Sequence, residues 1–561
     1  MPAKSACVVG AGVSGIAALK ECKRQGFRTT CYELDSDIGG IWHKKDHSPA
    51  NTVAIWETLV TNVSKFNCCF TDFPPDVKDT VYLSTEATFK YLKRAVDHFG
   101  LEEYIQFNTR VIKIRKTSDH DTTGRWEVFT AKRGDDIAGD DLAGPRGDDL
   151  SLSRCHREVF DFVIACTGNL KLPFNPAVPG IDEFGGFIQH AFGYTSARPY
   201  EGKNVLVVGN KFSAIDIAVD IANRAQQVYL SLGEGTWMLP RCFPKSRPYD
   251  TVVPRSLLYA RNAHVKLNDM FIEAAQNNLD HETSGIRPDR APLFAPICLS
   301  DEIPLKLMSG KVKAYGHLAK LEHNRAHMRD GQVITDIDAI VFCTGYKPDF
   351  SFVESDILEE NGKMKMYRMV FPLEEKHTTL AFVGQVTGDF AVFPLYDVQA
   401  KLATRVMAGK HRLPSLDKMK ADVDFWNAHS LARTGKYSPC FVAAAVLTDT
   451  IAEEIGIYPS FWKVFFKNPV LAFRNWYGPI MAAQLNLVGP DSQWETASAA
   501  CLSQYSEGCS SFRHTTINTV NRPDLYEYQK SRLFALSVIG ACVSIFGFLC
   551  YRNQETIISF L

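Results

Sequence analysis

Cys7-Val8-Val9-Gly10-Ala11-Gly12-Val13-Ser14-Gly15 decides how this chain is read. Val8 and Val9 close an apolar run that reads as a buried parallel strand, and Ile16-Ala17-Ala18-Leu19 opens a helix after it. Between them Gly10, Gly12 and Gly15 form GxGxxG. In such a turn the first glycine bends the chain, the second lets backbone approach a pyrophosphate, and the third lets helix and strand touch. The start of the helix then offers free N–H groups and a positive dipole end to the phosphates. A second strand, Thr29-Thr30-Cys31-Tyr32-Glu33, ends in an acid 23 positions after Gly10, where a ribose 2′-hydroxyl is hydrogen-bonded. An unphosphorylated ribose beside Glu33 allows FAD or NAD.

At 561 residues the chain is long enough for more than one domain. A net charge of −1 gives no basic footprint for nucleic acid. The fifteen cysteines are scattered, several inside apolar strands, and no CxxC occurs, which argues against both a zinc ribbon and a dithiol reductase. The first strand starts too early for a signal peptide, so the soluble part reads as cytosolic and reduced.

Further along, Gly39-Gly40-Ile41-Trp42 suits a close approach to a flat cofactor. Val111–Ile114 and Trp126–Phe129 alternate like strands of a small antiparallel layer. The Gly- and Asp-rich stretch from Gly134 to Ser151 reads as a solvated insertion. Two similar strands, Phe160–Gly168 and Ile337–Tyr346, each leave their sheet at a Thr-Gly and mark two crossings between a first nucleotide domain and one inserted into it.

Between those crossings Asn204–Gly209 begins a second strand–turn–helix whose fingerprint is degraded. Gly209 holds the first glycine position, Lys211 the second and Ala214 the third. Alanine is a common substitute at the third. A lysine at the second either competes for pyrophosphate space or contacts it. The next strand, Gln227–Ser231, ends without an acid, and Arg241, Lys245 and Arg247 follow, which favours NADP over NAD against the dissenting charge of Glu234. At the other end, Leu533–Tyr551 is nineteen residues without a charge between Arg532 and Arg552, a short transmembrane helix that would insert as a tail anchor with the main body cytosolic.

Phe184-Gly185-Gly186-Phe187-Ile188-Gln189-His190-Ala191-Phe192-Gly193-Tyr194 fits FxGxxxHxxx(Y/F). With the first fingerprint, the Gly39–Trp42 turn, Thr61-Asn62-Val63-Ser64-Lys65, the Cys-Thr-Gly-Tyr strand and Phe393-Pro394 with Gln399-Ala400, it makes the chain resemble the flavin-containing monooxygenases of animal microsomes, dimethylaniline monooxygenase among them, over nearly its whole length. Lys211 and Ala214 are the main departures, and Trp56 a lesser one.

The resemblance implies an α/β fold of two nested Rossmann-like domains, an FAD domain interrupted by an NADP domain, plus the C-terminal transmembrane helix. Expected boundaries are 1–168 and 337–445 for the FAD domain, 169–336 for the NADPH domain, 446–530 for a helical region and 533–551 for the anchor. FAD would be held by Gly10, Gly12, Val13, Ser14, Gly15 and Glu33, with Gly40, Ile41, Trp42 and Thr61 nearby; NADPH would be held by Gly209, Ser213, Ala214 and Arg241; no metal is expected. Asn62 resembles the family's catalytic asparagine; on its own it reads as a turn amide bonded to backbone, and His190 as a structural histidine at a domain junction. The implied reaction is NADPH- and O2-dependent oxygenation of a soft nitrogen or sulfur through a flavin C4a-hydroperoxide, at the endoplasmic reticulum membrane, in an undetermined oligomeric state. Alternatives are Baeyer–Villiger oxygenation of a ketone, an uncoupled NADPH oxidase releasing hydrogen peroxide, and a membrane-anchored flavoprotein that only binds.

Overall fold

The computed structural model describes residues 3–44, 55–132, 152–357, 359, 361–435, 438 and 440–507. The stretch 134–151 and the apolar tail 533–551 lie outside them. Two five-stranded parallel sheets carry the fold. The first runs Leu380–Phe382, Phe162–Ala165, Ser5–Val9, Arg28–Tyr32, Ile105–Gln106. Ser5–Val9 and Phe162–Ala165 are buried throughout, which is why they are continuous apolar runs rather than alternating ones. The second sheet runs Val312–Tyr315, Gln227–Ser231, Asn204–Val208, Ala339–Phe342, Phe187–His190.

In each sheet the central strand feeds a helix: Ser5–Val9 leads to Val13–Gln25, and Asn204–Val208 to Phe212–Ala222. The antiparallel layer comprises Thr109–Lys116, Trp126–Lys132 and His156–Phe160. One expected boundary is corrected. Ala339–Phe342 pairs with Asn204–Val208 and with Phe187–His190, so the chain leaves the second sheet after Phe342 and not at 337. The strand that returns to the first sheet is Leu380–Phe382, beside Phe162–Ala165. The two Thr-Gly strands look alike because each is a buried inner strand of its own sheet.

A first core joins Val8, Ile16, Val163, Phe382 and Leu395. A second joins Val205, Ile215, Leu230 and Val341, and takes in Trp56 from the loop after the first turn. Trp56 meets Tyr194 edge-on at 5.8 Å, so the indole fills the second core from the first unit. Helix Phe393–Met407 packs on Val13–Gln25, and between them lies a buried charge network. Lys20 Nζ is 2.8 Å from Glu21, 2.9 Å from Asp72 and 2.7 Å from Asp397. Lys401 reaches Asp397 at 2.9 Å and Glu21 at 3.3 Å, while Arg24 reaches Glu21 at 2.7 Å and Asp72 at 2.6 Å. Burial alone would lower the Lys20 pKa, but Asp397, Asp72 and Glu21 together hold it above the usual lysine value. Burial likewise works to raise Asp72 and Asp397, and the cations, Lys20 first, hold both below the usual carboxylate range.

Candidate functional site

The first turn is set by carbonyl oxygens. Gly10 has φ +96°, and a Cβ there would stand 2.8 Å from the Cys166 carbonyl oxygen. A Cβ on Gly15 would lie 1.8 Å from the carbonyl oxygen of Gly10, so no side chain fits where helix meets strand. Gly12 needs no unusual backbone, with φ −73° and ψ −170°. It faces Gly40, whose Cα lies 3.6 Å from a Cβ built on Gly12. Gly40 itself has φ +58° and opens the short 3₁₀ turn Gly40–Trp42, in which Ile41 is exposed and Trp42 half-buried. The helix that starts at Val13 has no side-chain cap at Gly12. Two facing glycines before an uncapped helix start fit a pyrophosphate.

Glu33 sits beneath this turn. Its Oε2 accepts the Ala11 N–H at 2.5 Å and its Oε1 the Asp35 N–H at 2.8 Å. A carboxylate has acceptor capacity beyond two such bonds, which suits a ribose hydroxyl. Ser14 is buried, with Gly384 (φ +82°) so close that a Cβ there would be 2.5 Å from the Ser14 Cβ. Thr61 pins the following loop: its N–H donates to the Leu83 carbonyl, while its hydroxyl donates to the Val63 carbonyl and accepts from the Leu83 N–H.

The second turn repeats the first with one difference. Gly209 (φ +152°) faces the Cys343 carbonyl oxygen as Gly10 faces that of Cys166; a Cβ there would be 2.6 Å from it. The Ala214 Cβ stands 3.0 Å from the same point, so this helix leaves room for a methyl group where the first does not. Lys211 has an extended backbone, φ −124° and ψ −175°, and an exposed side chain. A Cβ at 12 would make only ordinary contact with Gly40, and neither the backbone of Gly12 nor that of Lys211 lies in the left-handed region that favours glycine. Ser213 lies half-buried in the first turn of the helix.

Asn62 and Arg241, predicted for different tasks, come together. Arg241 Nη2 donates to Asn62 Oδ1 at 2.9 Å and to Asp216 Oδ1 at 2.8 Å. Arg241 follows the strand Trp237–Leu239, which pairs with Ile297–Leu299, and it does not stand at the end of Gln227–Ser231. Glu234 is exposed there, 3.9 Å from Arg290. Arg247 is also exposed, its Nη2 donating to the Thr251 carbonyl. The loop carrying Asn62 is held further by Asp250, which accepts from the Ser64 N–H (2.9 Å), the Ser64 hydroxyl (2.7 Å) and Asn67 Nδ2 (2.8 Å). Burial raises the Asp250 pKa above the usual carboxylate value, against those hydrogen bonds.

Asp216 and Asp250 were missed in the sequence. Asp216 had left a signal, an acid inside the apolar run Phe212-Ser213-Ala214-Ile215-Asp216-Ile217-Ala218. The 184–194 motif forms scaffold. Phe187–His190 is the edge strand, Tyr194 donates to Asp220 at 2.6 Å, and His190 Nδ1 accepts the Phe192 N–H at 3.0 Å. Burial lowers the His190 pKa.

The flavin-binding monooxygenase-like family model matches residues 3–549. A dimethylaniline monooxygenase (N-oxide-forming) 2 of Rattus norvegicus is 34% identical over 92% of this chain and 94% of its own. Flavin-containing monooxygenase 2 of Homo sapiens is 31% identical over 98% and 99%. Among solved structures, the S-allyl-L-cysteine S-oxygenase of Allium sativum superposes with a TM-score of 0.59 at 20% identity, over 90% of this chain and 99% of that one. At that identity the likeness concerns the fold.

Proposed function

This chain belongs to the flavin-binding monooxygenase-like family, and from that premise we propose that it uses FAD, NADPH and O2 to oxygenate a soft nucleophilic nitrogen or sulfur in small molecules. The observation that carries the reading is the pairing of two glycine-closed turns, at the ends of two parallel sheets, with a loop amide placed between the units. Bound FAD supplies the redox chemistry and activates O2; the protein orients it and keeps water out.

Gly10, Gly12, Val13, Ser14, Gly15 and Glu33 hold the adenosine pyrophosphate, with Gly40, Ile41, Trp42 and Thr61 along the rest of FAD. Gly209, Ser213 and Ala214 receive NADPH. Asn62 donates a hydrogen bond at the reacting face without offering an acid, which would hasten loss of peroxide. The first unit comprises 1–168 and the part after the second sheet up to 445, with the inserted unit between them. The helices Ala444–Glu454, Phe461–Phe465, Pro469–Tyr477 and Trp494–Glu507 support a helical region after 446, whose expected continuation to 530 lies outside the described residues.

Among the described residues no helix is long and apolar enough to cross a membrane. Support for an anchor is the uncharged run 533–551, flanked by Arg532 and Arg552, which would hold the catalytic body on the cytosolic face of the endoplasmic reticulum. Deleting it and following membrane fractionation tests that part.

The test of the reaction is NADPH oxidation by FAD-loaded protein with a small tertiary amine or thioether, scoring oxygenated product and hydrogen peroxide together. Product matching NADPH is expected. Peroxide matching NADPH would refute the reading, and a ketone converted to ester in place of sulfoxide would redirect it. Asn62→Ala should keep FAD yet lose product relative to peroxide.

A further inference from the structure

We infer that Arg241 is a positioning residue for Asn62, itself held by Asp216, so that the second nucleotide unit sets which end of the Asn62 amide faces the flavin site. This rests on the reading of Asn62 given above. The two ends of an amide are chemically opposite: Oδ1 accepts and Nδ2 donates. A guanidinium only donates, so the atom beside Arg241 must be Oδ1 whichever way the amide is first drawn. With Oδ1 committed at 2.9 Å, Nδ2 is the end left to turn away from Arg241.

The arginine is fixed at both ends. Tyr82 donates its hydroxyl to the Arg241 carbonyl at 2.5 Å, and Asp216 takes Nη2 at 2.8 Å. The side chains of Arg241 and Asp216 are only 12% and 13% exposed, and charge-assisted bonds in such shelter are stronger and more directional than at the surface. Asp250 meanwhile holds Ser64 and Asn67, so the loop itself cannot drift from the arginine. An arginine reading the ribose phosphate of NADP would instead stand at the end of Gln227–Ser231, which this one does not.

Asp216 lies on the helix that opens the second turn, three residues after Ser213 and thus on the same face. Asp216, Arg241 and Asn62 therefore link that turn to the flavin side by two hydrogen bonds. The link runs through Nη2 alone.

The test is a double-mutant cycle in FAD-loaded full-length protein, with a thioether, reading the ratio of oxygenated product to hydrogen peroxide. Arg241→Gln should lower that ratio by about tenfold, the scale of one charge-assisted hydrogen bond. Asn62→Ala should lower it too, and the double variant should be no worse than Asn62→Ala alone. Arg241→Lys, which keeps a charged group that only donates, should recover part of the loss. Binding of NADP⁺ and NAD⁺, followed by flavin fluorescence, gives a readout independent of turnover. Their relative affinities should be the same in Arg241→Gln as in the parent. A selective loss of NADP⁺ would make Arg241 a phosphate ligand and overturn the inference, as would additive losses in the double variant. Should Arg241→Gln fail to fold, Asp216→Ala leaves the arginine in place but unpinned and should shift the ratio the same way. No shift there refutes the inference. A parental ratio in Asn62→Ala would refute the underlying reading of Asn62, whereas a low ratio there beside a parental one in Arg241→Gln refutes the positioning role alone.

Discussion

Replacing Lys20 by methionine is the sharpest test of how the first nucleotide helix is seated. The network beneath it balances three cations, Lys20, Arg24 and Lys401, against Glu21, Asp72 and Asp397. Lys20 touches all three acids at 2.7 to 2.9 Å, more closely than Lys401, which reaches them at 2.9 to 3.9 Å. Its side chain is 1% exposed, so water cannot replace the lost contacts. Removing one partner of such a buried set costs about 3–5 kcal/mol, because an uncompensated carboxylate remains. At roughly 2 °C per kcal/mol for a unit of about 250 residues, the melting temperature should fall by about 6–10 °C at pH 8.

The loss must also depend on pH, and its sign is fixed. In the parent, Asp72 and Asp397 have depressed pKa values, so their stabilisation is present above the usual carboxylate pKa and is lost only as pH falls through the depressed values. In Lys20→Met one acid is left with a raised pKa. Its penalty is absent below the usual carboxylate pKa and grows as pH rises through the raised one. Thermal denaturation of FAD-loaded protein at pH 5.5 and pH 8 should therefore show the smaller deficit at pH 5.5. Lys20→Met combined with Asp397→Leu restores the balance and should recover most of the stability. A deficit below about 1 kcal/mol, or one equal at both pH values, would show that the network carries no such electrostatic load.

Gly15→Ala should abolish FAD retention, since its methyl carbon would lie 1.8 Å from the Gly10 carbonyl oxygen; flavin absorbance after gel filtration reads this, and full occupancy would contradict it. Lys211→Gly should weaken NADPH by about 2- to 5-fold, as expected for one solvent-screened charge near a phosphate. The KM for NADPH at low and high salt checks this, and tighter binding would mean that the lysine obstructs. Burial raises the Asp250 pKa, so its contribution to stability is full below about pH 4 and declines as pH rises through the raised value. Asp250→Asn should therefore gain on the parent between pH 5 and pH 8 in melting temperature, and a constant difference would rule out that titration.

Both strand–turn–helix units were legible because their causes are local: a buried apolar strand, glycines at the bend, a helix behind. Strand Asn204–Val208 and strand Gln227–Ser231 fall where the apolar pattern put them. What spacing could not supply was the neighbour brought from elsewhere in the chain. Lys211 looked like damage by analogy with Gly12, yet the backbone at both positions has an ordinary negative φ, −73° at 12 and −124° at 211, which any residue can adopt. Arg241 was read as a cofactor ligand from its place after a strand, while its partners, Asn62 and Asp216, are 179 and 25 residues away. The boundary at 337 erred because Ala339–Phe342 and Phe162–Ala165 share one apolar pattern, and only hydrogen-bond pairing tells which sheet each joins.

The order of strands also dictates an order of completion on the ribosome. Every strand of the second sheet lies between Phe187 and Phe342, whereas the first sheet needs Leu380–Phe382 at its edge, next to Phe162–Ala165. At typical synthesis rates of about 5–20 residues per second, that edge strand emerges roughly 10–40 s after the one it must join. During that interval the flank of Phe162–Ala165 lacks its partner while the inserted unit can already close. The first sheet therefore keeps an open edge at Phe162–Ala165 until Leu380–Phe382 has emerged, whereas the second can close before it.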